Sequence, residues 1–231
     1  MPIDPDVLAR SVARLEGVDP VDTGLDAALE RVVAETDDVF AVDGAGLLLL
    51  LDEGGVLRYT AASDEPGRML ESLQEQFGEG PCVDAFLNDA PVLAPDLGAD
   101  PRWPSVGPLA ARHGIGAVLG VPVDLSEGPV GTLNVYAARP HRWEEADVAA
   151  IQAYTRVIAS LLRTAVRAHV SGKAAGQLQR ALDHRSLIEQ AKGVIMERRG
   201  LDQQAAFELL RAQARSTRRR LDEVASEVVR R

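Results

Sequence analysis

The chain has 231 residues, 46% of them hydrophobic and 26% charged, which suits a buried core under an ordinary soluble surface. Its net charge of −10 is unevenly spread: residues 1–165 hold 11 Lys and Arg against 27 Asp and Glu, a net of −16, while residues 166–231 hold 14 against 8, a net of +6. This excludes a protein that meets a polyanion along its whole length and leaves the basic tail as the part suited to one.

In chain order, Asp22 to Glu35 carries Leu25, Ala28, Leu29, Val32 and Val33 at helical spacing. Val39 to Leu51 reads as a strand interrupted at Asp43-Gly44. Glu53-Gly54-Gly55 turns it back into a second strand, Val56 to Ala62. Met69 to Phe77 is a short helix, and Phe77-Gly78-Glu79-Gly80-Pro81-Cys82 is a loop. Ala90 to Leu93 is a short edge strand, Asp96 to Ser105 a loop, and Leu109 to His113 a helical turn. Ile115 to Asp124 and Val130 to Ala137 are strands joined across Ser126-Glu127-Gly128. Glu144 to about Arg167 is a long helix with apolar Val148, Ile151, Tyr154, Val157, Ile158 and Leu161. This order predicts an α+β fold: one mostly antiparallel sheet with flanking helices.

Past Gly172 the apolar stripe continues through Leu178, Leu182, Ile188, Ala191 and Ile195. One isolated helix cannot bury such a stripe, so a second copy of the chain is the expected partner, and a coiled-coil homodimer follows. Gly172 and Gly176 would bend or loosen this joint. Ser186 to Ala214 then reads as two amphipathic helices joined at Arg199-Gly200-Leu201-Asp202, with a third helix after Ser216-Thr217. The domain boundaries are therefore drawn at 1–165 and 166–231.

No apolar run reaches the roughly 18 residues of a membrane span. The start, MPIDPDVLAR, has neither the basic opening nor the apolar middle of a signal peptide, which places the protein in the cytoplasm. A single cysteine, Cys82, excludes an intrachain disulfide. His113, His141, His169 and His184 are too dispersed to argue a metal site. No motif names a cofactor.

Leu182 through Val229 resembles the ANTAR domain, a three-helix RNA-binding module of bacterial antitermination regulators. The matching residues are Ala191-Lys192-Gly193-Val194-Ile195-Met196, Arg199-Gly200-Leu201, Ala205 to Arg211 with Ala214, and Arg218-Arg219-Arg220-Leu221 with Val224-Ala225 and Val228-Val229. The first 165 residues resemble the GAF sensor domains that often precede such tails in actinobacteria. That likeness rests on Gly78-Glu79-Gly80-Pro81-Cys82, Gly120-Val121-Pro122-Val123 and Gly131 to Tyr136. The resemblance implies a sensor-regulator that binds RNA hairpins in nascent transcripts, usually as a dimer, and prevents terminator formation.

The candidate RNA contacts are Lys192, Arg198, Arg199, Arg211, Arg218, Arg219 and Arg220. Arginines at a helix N-terminus fork onto phosphates or stack on unpaired bases. Arg218 departs from a family pattern that often has Asn there. Lys192 reads equally as a phosphate contact or as a solvated group, and Gly193 reads first as room for close helix packing and second as room for a nucleotide. Phe207 reads as core. A GAF pocket would lie between the sheet and the connections from Met69 to Asp100, lined by Phe86, Trp103 and His113, and would take a small molecule unless these side chains fill it. GAF-like reductases of methionine sulfoxide normally use a second, resolving thiol. None accompanies Cys82, so no enzyme is expected. The competing readings are a DNA-binding factor with a helix-turn-helix tail and a protein-interaction module.

Overall fold

The structure, a computed structural model, describes residues 4–40, 42–50, 57–125, 128–168, 187–217, 219 and 221–230. The chain falls into two compact units, one within Met1–Leu49 and Leu57–Ala175 and one within Gly176–Arg231.

The first unit is built on a five-stranded sheet: β1 (Gly44–Leu50), β2 (Leu57–Ala62), β3 (Val92–Ala94), β4 (Ala117–Leu125) and β5 (Gly128–Ala137). The spatial order is β2-β1-β5-β4-β3. The pairs β1–β5, β5–β4 and β4–β3 are antiparallel. β4 and β5 are apolar and buried nearly end to end, because both faces of the sheet are covered. Helices α1 (Pro5–Glu16), α2 (Pro20–Thr23), α3 (Leu25–Phe40) and α7 (Glu145–Arg167) pack together, and α3 and α7 also contact the sheet. Helices α4 (Glu65–Phe77), α5 (Pro81–Asn88) and α6 (Val106–Arg112) form a second group, with α4 and α5 against the sheet.

Local chemistry sets the helix ends. Asp4 and Asp19 cap α1 and α2, each followed by a proline whose missing N–H costs nothing at a helix start. Neither helix is among the sequence expectations. Asp64 caps α4 by accepting from the Gly67 amide at 2.8 Å, and Pro66 sits in the first turn. The helix therefore begins four residues earlier than Met69. Helix α3 runs on through Val39 and Phe40, which the sequence assigns to a strand. Phe40 is buried, with its ring centroid 5.9 Å from that of Tyr154. A chain of hydrogen bonds ties α1, α3 and α7 together. Tyr154 donates to Ser11 at 2.8 Å, and Ser11 and Arg14 both donate to Glu35, at 2.8 and 2.6 Å.

The apolar stripe of α7 needs no second copy of the chain. Ile151, Tyr154, Val157, Ile158 and Leu161 are already buried within the first unit, by α1, α3 and the sheet. Ile188, Ala191 and Ile195 are likewise buried in the second unit. The physical ground for a coiled coil is thus removed at these positions. Leu178 and Leu182, like Gly172 and Gly176, lie outside the described residues.

At the centre of the sheet, Gly46 pairs with Asn134 of β5, which in turn pairs with Gly120 of β4. The Glu71 carboxyl of α4 rests on this row, and a Cβ at Gly46 would collide with its Oε1. Gly46→Ala is expected to displace Glu71 and destabilise the first unit by about 1–3 kcal/mol, read by denaturant unfolding of the full chain. An unchanged midpoint would contradict this packing.

Candidate functional site

The second unit contains α8, described over 187–199, α9 (Gln203–Thr217) and α10 (Leu221–Arg230). Its core repeats at helical spacing: Ile188, Ala191 and Ile195, then Ala206, Phe207 and Leu210, then Val224 and Ala225, all buried. Gly200, at φ 65°, ends α8 in the left-handed conformation that glycine adopts without strain. Asp202 starts α9 by accepting from the Ala205 amide at 2.7 Å.

The expected RNA contacts divide into inner and outer groups. Lys192 is only 4% exposed. Its Nζ lies 2.8 and 2.9 Å from the two Glu189 carboxylate oxygens and 5.7 Å from the Phe207 ring centroid. A buried ammonium needs such partners, because leaving it unpaired away from water is very costly. Both open readings of Lys192, phosphate contact and solvated group, give way to this inward pairing. Gly193 is the reverse case. It is exposed, and a Cβ there would meet nothing within 4 Å, so it does not serve close helix packing within the chain. Phe207 is buried, as a core residue should be.

Arg198 and Arg199 are exposed on the last turn of α8. Arg219 lies between α9 and α10 and is 40% exposed. It donates to Glu227 Oε2 at 2.6 Å and lies 3.5 Å from a Glu223 carboxylate oxygen. The Arg211 side chain and residues Arg218 and Arg220 lie outside what the structure describes. Between the three helices lies a cleft of about 200 Å³, whose lining includes Arg198, Arg199, Gln213 and Glu227. Gln213 and Glu227 are not among the sequence candidates, and nothing in their spacing separates them from an ordinary solvated face.

In the first unit the three expected pocket residues have different surroundings. Trp103 is 1% exposed within a cluster that includes Leu70, Leu97, Ile115 and Tyr136, and its Nε1 donates to Asp84 at 2.9 Å. The Arg102 guanidinium covers the indole at 4.1 Å. Phe86 is half-buried against Leu48 and Cys82. His113 is exposed at the C-cap of α6, so it does not line an interior space.

A polar cluster missed by the sequence reading lies on the α4–α5 side of the sheet. Glu71 and Gln74, three residues apart on one face of α4, are both fully buried. The Asn134 amide donates to Glu71 and to Gly46 O, Gln74 Nε2 donates to Glu71 at 3.1 Å, and Gln74 Oε1 accepts from the Cys82 amide at 2.8 Å. Burial outweighs these two donors, and the Glu71 carboxyl is pushed up to about 8. The Cys82 thiol is fully buried and pushed up, first by burial and then by Glu71. A nucleophilic cysteine requires the opposite environment. Among the described residues no group of His, Cys, Asp and Glu could hold a metal ion, and no helix is long and apolar enough to cross a membrane.

Fold and cation placement together define an α+β domain followed by a small basic helical domain. The model of the GAF domain family matches residues 22–163, and that of the ANTAR domain matches residues 176–229. The chain belongs to the GAF domain family and carries an ANTAR domain behind it. GAF domains are sensory modules, and ANTAR domains are RNA-binding antitermination modules.

Among solved structures, the chain is similar to the GAF domain of a phosphoenolpyruvate-protein phosphotransferase from Acinetobacter. The TM-score is 0.56 at 19% identity, over 71% of this chain and 95% of that one. The corresponding domain from Coxiella burnetii has a TM-score of 0.55 at 20% identity, over 71% and 94%. The free methionine-R-sulfoxide reductase of Neisseria meningitidis, in complex with its substrate, has a TM-score of 0.55 at 16% identity, over 70% and 89%. At these identities the likeness is one of fold alone. A comparison with curated protein sequences returns no match.

Two outcomes follow from the buried groups. Folded Glu71 keeps its proton to about pH 8, against an ordinary value of 4.5. Its contribution to stability is whole below that ordinary value and is lost as pH rises towards 8, at up to ~1.4 kcal/mol per pH unit. Glu71→Gln is expected to flatten this decline in denaturant titrations between pH 5 and 8, and an unchanged slope would contradict the assignment. Lys192→Ala is expected to lower the thermal midpoint of the tail by removing a buried stem and orphaning Glu189. Lys192→Met keeps the stem and should cost less. Equal midpoints for both variants and the wild type would contradict the inward placement.

Proposed function

We propose that the chain is a signal-responsive regulator that binds RNA hairpins in nascent transcripts and prevents transcription termination. The ANTAR match over residues 176–229 carries this reading, together with Arg198 and Arg199 standing exposed on a basic tail. These two arginines meet phosphates, and the run Arg218-Arg219-Arg220 adds cationic groups where α10 begins. Arg211 is a further contact on α9. The GAF domain supplies the input, a small molecule or another signal, and acts in the cytoplasm where transcripts are made. The protein has no catalytic role. A homodimer would bring two such tails to one transcript.

Gel shifts of the full chain with hairpin RNA and with duplex DNA, at matched salt, separate this reading from a DNA-binding factor. Hairpin RNA is expected to bind tighter. Replacing Arg198 and Arg199 together by Ala should weaken hairpin binding and reduce the salt slope by about 1.4 to 1.8. An unchanged slope would remove both arginines from the interface. No RNA binding at any salt would favour a protein-interaction module. Analytical ultracentrifugation of the full chain tests the dimer, and a monomer at high concentration would reject it.

A further inference from the structure

The buried face of α4 consists of Gly67, Leu70, Glu71, Leu73 and Gln74. Only two large apolar side chains are buried there, with Met69 partly buried beside them. α5 buries Pro81, Cys82, Val83 and Ala85, none of them large. α7, by contrast, buries Ile151, Tyr154, Ile158 and Leu162. Resistance to local opening grows with the apolar area an element buries, so α4 and α5 belong to the easily opened part of the first unit. Asn134 Oδ1, buried in the row under α4, has no hydrogen-bond partner and gains one when water enters.

Glu71 lies in the middle of this face. Its carboxyl accepts from the amides of Asn134 and Gln74, and no cation joins them. The other oxygen-bearing arm of Gln74 accepts from the Cys82 amide, so the same side chains bind α4 to the start of α5. The surrounding elements supply few charges. Cys82 of α5 is a buried thiol, Asp84 of α5 is bonded to Trp103, and Arg112 of α6 is exposed. Asp64, at the start of α4, accepts from Tyr136 of β5. β2 carries Arg58 and Tyr59, whose side chains lie outside what the structure describes. A carboxyl placed so is neutral while the helix is down, and burial holds its proton to about pH 8. In water the same group ionises near its ordinary value of 4.5.

We propose that α4 and α5 form a pH-sensitive latch: they leave the sheet together as one local unit, and each opening releases the Glu71 proton to water. Because Glu71 holds its proton more tightly closed than open, the latch is firmest below the ordinary carboxylate value. It weakens as pH rises, with the open fraction growing about tenfold per pH unit until about pH 8, where it levels off. The device lies wholly within the GAF domain and needs no RNA, so its failure would leave the RNA reading standing.

The test is hydrogen exchange of the full chain, read by mass spectrometry from pH 5.5 to 7.5 and corrected for the intrinsic rate at each pH. A series at low denaturant separates local from global opening. In the wild type, residues 65–88 are expected to lose about a hundredfold in protection over this range, with little dependence on denaturant. Those of α7 should stay more protected and follow denaturant steeply. Glu71→Gln keeps the shape of the side chain and cannot ionise, so residues 65–88 should show no such loss. Circular dichroism checks that the variant is folded. The proposal is overturned if wild-type residues 65–88 exchange only together with α7, or if their protection does not change with pH. It is also overturned if folded Glu71→Gln loses as much protection as the wild type. The first two results are read on the wild type alone and do not depend on the variant.

Discussion

A lysine turned away from water organises the C-terminal unit. Lys192 lies on the apolar face of α8, four residues after Ile188 and three before Ile195, and both of those are buried. Its ammonium is paired with Glu189 and lies over the Phe207 ring, so it links α8 to α9. With that cation turned inward, the outward positive charge of α8 falls to Arg198 and Arg199 at its end. Interior and exterior cations are thus separated by about two helical turns. The guanidiniums stand where the helix meets the cleft, and the ammonium stands where the helices meet each other.

The sensory unit solves a different problem at its centre. A carboxyl is buried on a sheet face without a paired cation in its hydrogen-bond set. Two amides, from Asn134 and Gln74, serve it instead. The cost falls on ionisation rather than on the hydrogen bonds, so the group stays neutral well above the ordinary carboxylate range. Because Gln74 also accepts from the Cys82 amide, the same cluster fixes the start of α5. α4, α5 and two strands, β1 and β5, are joined through side chains no larger than Glu and Gln. This cluster touches both helices that cover this face of the sheet.

Much of this architecture was legible in the residues. β4 and β5 read as strands because a sheet buried on both faces leaves long apolar runs, punctuated by Ser126 to Gly128. The long α7 read from its apolar period. The signals for α1 and α2 were present as Asp4-Pro5 and Asp19-Pro20, a capping residue followed by proline. Other features depend on partners distant in sequence. α6 begins at Val106 because Glu79 accepts from the Ser105 and Val106 amides, at 2.6 and 2.9 Å. The last turn of α3 depends on Phe40 meeting Tyr154. Lys192 was readable from its period, since it falls inside the apolar stripe. A charged residue is usually solvated, so a lysine within the stripe gives no sign of burial by its type. Glu71, Gln74, Gln213 and Glu227 carry no local signal, as each reads as an ordinary polar helix position until its neighbours are in place.

The first 165 residues carry a net −16 and the rest +6, so a polyanion has one end of the chain to approach. The most direct test is to crosslink the protein to RNA in its native cell and sequence what is bound. The expected result is a set of reads concentrated in leader regions ahead of terminators, each containing a hairpin. A profile no different from background RNA would contradict it.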